Sequence, residues 1–124
     1  MPDDTKLSIL WWNVNRRLNQ ILKNISPISE RPDIIFVTET SAGYNAIPNI
    51  QFYVKYADKD VQMLNHGGIA VYINNALVPH AFNVCFSTCY VSFRLNFVPS
   101  SCATSNRKIR STSIQTCLVI YAVF

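Results

Sequence analysis

Asn13 and Glu39 are the residues whose types and positions could do chemistry. Each stands at the end of an apolar run: "LSILWWN" finishes in Asn13, and "DIIFVTET" carries Glu39 one residue from its end. A carboxylate oxygen is what a hard cation such as Mg²⁺ selects, and that ion needs only one or two of them beside substrate phosphates and waters. An asparagine orients a phosphate or a neighbouring carboxylate without adding negative charge. In α/β architectures ligands gather at strand ends, where loops are free to vary. If the two runs are neighbouring strands, an amide and a carboxylate meet at one rim of a sheet. The same spacing also suits a solvated glutamate and a turn-forming asparagine.

The elements that must position them are readable from periodicity. Residues 6–14 predict a strand with two apolar faces, Leu7, Ile9 and Trp11 on one and Leu10 and Trp12 on the other. Such a strand lies inside a layered fold. Asn13 is in phase with the first set, and Glu39 is in phase with Ile35 and Val37 in the second strand, 33–40. Between them Leu18, Ile21, Leu22 and Ile25 follow the spacing of an amphipathic helix, closed by Pro27. "SAGYNAIPNI" has the composition of a loop. Further strands are expected near 50–56, at "IAVYINN" after Gly67 and Gly68, at 81–86, and at 89–97, where "YVSFRLNF" alternates. "SSCATSNRKIRSTS" reads as an exposed loop and "CLVIYAVF" as a last strand. One helix followed by many strands predicts a mixed α/β layered fold. An apolar run with no polar tail after it predicts a cut chain.

Composition sets outer bounds. A length of 124 residues allows one domain, and 49% hydrophobic residues suffice for a real core. The net charge of +4 suits a polyanionic partner without requiring one, since only Arg107, Lys108 and Arg110 cluster. Four cysteines lack zinc spacing: Cys85 and Cys89 have only His80 nearby, and Cys102 and Cys117 stand apart. "MPDDTKLS" is no signal peptide, and no apolar run reaches the length of a membrane span. Buried, reduced thiols in an intracellular protein are the expectation. Trp11 and Trp12 are expected in the core, and His66 and His80 in loops or at edges. Arg16 and Arg17 are expected to begin the helix as a solvated face beside Asn13. Tyr44, in the loop after Glu39, is the better aromatic candidate for touching nucleic acid.

The order of "LSILWWNVNRRL", "RPDIIFVTET" and "NHGGIAVYI" resembles the opening half of the endonuclease/exonuclease/phosphatase family. That pattern is a strand ending W-N, a helix, a strand reading P-D-I-hydrophobics-x-E-T, and later a G-G-hydrophobic strand. Within the family, "TET", "IPNI" and "GGIAVYINNAL" are similar to the apurinic-like endonuclease domain of non-LTR (LINE-type) retrotransposons. The resemblance spans residues 7–97 and, loosely, 113–124. It implies a four-layer αββα sandwich, of which residues 1–124 would form a truncated N-terminal half. It implies a DNase I-like hydrolase in the nucleus that nicks DNA with Mg²⁺ or Mn²⁺. Asn13 matches the asparagine that helps hold the metal and scissile phosphate, and Glu39 matches the metal-ligating glutamate. Both are the catalytic and metal-site residues implied here, with Tyr44, Arg16 and Arg17 as nucleic-acid contacts.

Departures from the family pattern are equally specific. Asn15 falls where repair members often carry an aspartate, and Phe124 falls where a phosphate-touching tyrosine is found. The D-x-N motif, a further aspartate and the S-D-H ending with its general-base histidine do not occur in the sequence. The expectation is a chain with a metal and phosphate end but no base, hence no turnover. Two other readings fit the same residues: a non-catalytic remnant that binds nucleic acid by charge, or a relative acting on a small phosphorylated substrate. A half-domain would also leave sheet surface open to self-association.

Overall fold

The computed structural model describes residues 6–25, 31–57, 67–86, 90–95, 101–104, 109–114 and 117–123. His66, Cys89, Arg107, Lys108 and Phe124, named above, lie outside them. The described elements run β1 (Lys6–Asn13), α1 (Asn19–Ile25), β2 (Ile34–Thr38), β3 (Tyr53–Ala57), β4 (Ile69–Asn74), β5 (Ala81–Phe86), β6 (Tyr90–Leu95), β7 (Ser101–Thr104), β8 (Ile109–Ile114) and β9 (Cys117–Val123). Single 3₁₀ turns occur at Tyr44–Ala46 and Val78–His80. The protein is thus a sheet-rich mixed fold with little helix.

Five strands form one mixed sheet in the order β3-β4-β2-β1-β7, and four form an antiparallel sheet in the order β5-β6-β9-β8. β1 runs parallel to β2, the arrangement a strand–helix–strand crossover produces. β4 is antiparallel to both β2 and β3. The two-faced apolar pattern of β1 and β2 has its explanation here, because both strands are interior to the sheet. One face, with Leu7, Ile9, Trp11, Ile34, Phe36, Val71 and Ile73, shares a cluster with Val91, Phe93 and Leu95 of β6. Phe36 is fully buried at its centre, with ring centroids 6.1 Å from Trp11 and 6.0 Å from Phe93. The other face packs Ile35, Val37, Ala70 and Tyr72 under Ile21 of α1 and under Ile47 and Ile50 of the 42–52 segment. Burying each such Ile or Phe contributes about 1.5–3 kcal/mol.

Three expectations are corrected. The Ser/Thr-rich stretch holds β7 and β8 rather than one long loop: β7 pairs parallel with β1, and β8 pairs antiparallel with β9. Both are edge strands in the described sheets, where the ladder is made by backbone groups and polar side chains are tolerated. Arg16 and Arg17 precede the helix instead of beginning it, because Asn15 and Arg16 take left-handed backbone (φ 47° and 67°) and α1 starts only at Asn19. Cys85 is exposed rather than buried. A register shift between Phe82 and Cys85, with Asn83 at φ 56°, turns Val84 and Phe86 inward and leaves Cys85 facing out. No helix among the described residues is long and apolar enough to cross a membrane, which says nothing of a β-barrel.

Candidate functional site

Parallel pairing carries the ends of β1 and β2 to the same rim. Their register sets Asn13 opposite Thr38, so Glu39 follows directly beside Val14. The chain is then laced across the gap: the Val14 N–H donates to the Thr38 carbonyl (3.1 Å) and the Arg16 N–H to the Glu39 carbonyl (2.8 Å). The third wall is the start of β4, whose Ile69 opposes Thr38 and whose preceding Gly67 accepts a 2.7 Å bond from the Ser41 N–H. Gly67 and Gly68 have φ of 80° and 94°, a conformation open to glycine, and they bring backbone to the rim with no Cβ above it.

Glu39 does not share the face of Asn13 by strand phase. Ile35 and Val37 belong to the helix-side cluster, whereas Leu7, Ile9 and Trp11 belong to the cluster shared by the two sheets. Strict alternation would therefore send Asn13 and Glu39 to opposite faces. Glu39 escapes that alternation because β2 ends at Thr38 and Glu39 itself is left-handed, at φ 55°. Ser41 is left-handed as well, at φ 50°. For residues other than glycine this conformation costs roughly 1–2 kcal/mol each. Glu39 and Asn13 are both exposed at the rim, as are Arg16 and Arg17.

Asn13 shows both of the roles open to it. Its Oδ1 accepts the Asn15 N–H at 2.9 Å, closing a local turn that helps hold Asn15 left-handed. That bond leaves the side-chain NH₂ and one carbonyl lone pair uncommitted. Asn15 itself is a turn residue with an exposed side chain.

Behind the rim, Thr40 and Ser41 present an anomaly. Thr40 is only 2% exposed, and the hydroxyl oxygens of both residues are sealed from solvent without a hydrogen-bond partner. A buried hydroxyl left so costs about 1–3 kcal/mol. Nothing in the sequence marks these two as different from ordinary loop residues.

Tyr44 sits in the first 3₁₀ turn, half-buried, and is tied to a residue that periodicity missed. Lys55 lies in β3 between Tyr53 and Ala57, on the face that packs inward, and is 9% exposed. Its ammonium donates to the carbonyls of Tyr44 (2.8 Å) and Ile47 (2.7 Å) and lies 4.1 Å from the centroid of the Tyr44 ring. Burial pushes its pKa below the usual lysine value. Tyr72, directly opposite Lys55 on β4, donates its hydroxyl to the Pro48 carbonyl (2.7 Å), and burial holds that phenol far above its usual pKa. Two polar side chains on an apolar face thus clamp the segment that follows Glu39. The visible clue is a lysine at an inward position of the "YVKYA" strand.

The exposed donors at the rim are oxygens of the Glu39 carboxylate and the Asn13 amide, with the two sealed hydroxyls behind them. Among the described residues no three His, Cys, Asp or Glu side chains gather to cage a metal. One carboxylate with neutral oxygens fits an ion that keeps most of its waters and completes its shell with substrate phosphate, as Mg²⁺ does. His80 lies beyond the opposite end of β4, past Asn74, and not at this rim. No protein-family model matches the chain, and no curated protein or solved structure matches it. What the rim can do is therefore read from its own chemistry.

Proposed function

We propose that the rim formed by Asn13, Glu39 and the Gly67–Gly68 turn is the metal- and phosphate-binding end of a phosphodiesterase site of the endonuclease/exonuclease/phosphatase type, with DNA as the polymer bound. The observation that carries this reading is the parallel β1–β2 register, which brings the strand ends that carry Asn13 and Glu39 to one rim. Two features add support. The helix-side and inter-sheet clusters stack α1, one sheet and the other as three successive layers, in line with the αββα sandwich the resemblance implies. The exposed Arg16 is bonded through its backbone to Glu39 and the exposed Arg17 follows it, where a phosphate backbone would need positive charge.

In this reading Glu39 would hold Mg²⁺ or Mn²⁺, and Asn13 would donate its NH₂ to a phosphate oxygen. The ion, when bound, supplies Lewis-acid stabilisation of charge on the phosphoryl oxygens. Arg16 and Arg17 attract and orient the polyanion. No general base belongs to this set, and the sequence carries neither D-x-N nor S-D-H. The 124-residue chain is therefore expected to bind without turnover.

The test is melting of the purified chain with and without millimolar MgCl₂. The midpoint is expected to rise with the ion, as for any ligand bound only by the folded state, and the rise is expected to vanish in Glu39→Ala. A midpoint indifferent to Mg²⁺ and Mn²⁺ would sink the reading. It would leave charge-driven nucleic-acid binding, recognised by its steep loss with salt and its indifference to the metal. Metal-dependent nicking of supercoiled plasmid, lost in Glu39→Ala, would overturn the absence of turnover instead.

A further inference from the structure

We propose that the hydroxyls of Thr40 and Ser41 hold first-shell waters of the divalent cation carried by Glu39, and so set its affinity. The inference rests on the reading that Glu39 binds such an ion and adds the residues that would orient its hydration shell. Two neighbouring hydroxyls are shut away from solvent with no partner, directly after the only carboxylate that the described residues bring to this rim. Folded proteins leave few buried polar atoms unpaired, and two in succession mark a place where something else supplies the bonds. A hydroxyl both donates and accepts, which suits an ion's water better than a bare phosphate oxygen, which only accepts. Mg²⁺ dehydrates reluctantly and is gripped through its waters as much as directly.

The backbone explains why these hydroxyls lack protein partners. Glu39 and Ser41 are both left-handed, so Thr40 is carried by a turn rather than by the strand ladder. The Ser41 N–H is spent on Gly67, and the Gly67–Gly68 pair has no side chain to offer. Both hydroxyls are sealed in this structure, so the role requires the 39–41 turn, with left-handed Glu39 and Ser41, to open toward the ion's waters. A hydroxyl with this role is a burden to the ion-free fold, and Thr40→Val, which keeps the shape and removes the polar atom, reads that burden directly.

The experiment uses the full 124-residue chain with four variants, Thr40→Val, Thr40→Ser, Ser41→Ala and Glu39→Gln. Each is melted without metal, and the affinity for Mn²⁺ is measured by electron paramagnetic resonance. Thr40→Val is expected to melt at or above the wild-type temperature without metal and to bind Mn²⁺ about tenfold more weakly, the usual size of an outer-shell loss. Ser41→Ala is expected to weaken binding in the same direction, and Thr40→Ser to retain it. Glu39→Gln is expected to abolish it. If wild type binds Mn²⁺ and only Glu39→Gln matters, the hydroxyl role fails while the reading of Glu39 stands. If wild type binds no Mn²⁺, both fail. If Thr40→Val lowers the metal-free melting temperature, the hydroxyl is structural and the inference is overturned.

Discussion

The two ends of the β1–β2 pair are built on opposite principles. At the N-terminal end the described residues are cross-linked by hydrogen bonds. Asp33 donates its N–H to the Ser8 carbonyl, accepts the Ser8 N–H on Oδ2, and accepts the Asn74 N–H on its carbonyl, each at 2.9 Å. The Tyr53 hydroxyl donates to the Pro32 carbonyl, and the Arg31 guanidinium lies 4.8 Å from the centroid of the Phe52 ring. Phe52, left-handed there at φ 74°, has its carbonyl engaged by the Asn75 N–H (2.9 Å). Among the described residues the C-terminal end has four that are left-handed and not glycine, Asn15, Arg16, Glu39 and Ser41, and two sealed hydroxyls without partners. Strain and unmet polar groups persist only where the surrounding fold over-determines them, and they cluster at functional sites often enough to support the proposed role of this end. One end is cross-linked, and the other carries strain that the rest of the fold must support.

The clamp on the 42–52 segment offers the largest test of that division. Lys55→Met removes the ammonium and leaves the Tyr44 and Ile47 carbonyls without their donor. The expected loss is about 2–4 kcal/mol, from two charge-assisted bonds and the buried carbonyls they satisfied. Chemical denaturation would read it, and Lys55→Arg should recover little because its planar fork does not reproduce a point donor. A Lys55→Met midpoint equal to wild type would mean that the ammonium does not hold this segment. Next in size is Tyr53→Phe at the well-paired end. Removing the hydroxyl strands the Pro32 carbonyl and should cost about 1–2 kcal/mol. If it proves neutral, the paired end is not the stabilising one.

Glu39→Gly should do the reverse at the strained end. Relief of about 1–2 kcal/mol of left-handed strain, less the roughly 0.5–1 kcal/mol of entropy that glycine loses on folding, predicts a net gain of about half a kcal/mol. The same substitution should eliminate any response to Mg²⁺. A loss of stability would show that the Glu39 side chain supports the fold and would erase the contrast between the two ends.

Most of the strands were legible because their signals are local. The double apolar faces of β1 and β2 and the alternation of Val91, Phe93 and Leu95 follow from side-chain sequence alone. β7 and β8 were not, because their place at the sheet edges comes from backbone bonds to β1 and β9 that composition does not encode. The nearness of Asn13 and Glu39 was half legible. Each was visible as a strand end, but the parallel register and the left-handed turn that frees Glu39 from its phase are tertiary facts. Lys55 was hidden by a rule that lysines face solvent. It is buried because two carbonyls and an aromatic ring replace the water it gives up.

The smallest expected effect is a matter of pH and tests whether the paired end is tuned or merely filled. Burial raises the Asp33 pKa above its ordinary 3.8, with the Ser8 N–H bond pulling the other way. Between 3.8 and the raised value the folded protein holds a proton that the unfolded chain has released. Acidification through that window therefore stabilises the fold through Asp33, and the contribution fades as pH rises past the folded pKa. Asp33→Asn keeps an acceptor for the Ser8 N–H but has no proton to exchange. Urea midpoints of the two proteins at pH 7, 5 and 4 should thus show wild type gaining on Asp33→Asn as pH falls. A gap that stays constant would place Asp33 in ordinary solvent. A gap that moves the other way would mean that the Ser8 bond outweighs desolvation, and that the N-terminal end holds its carboxylate as tightly as it holds its backbone.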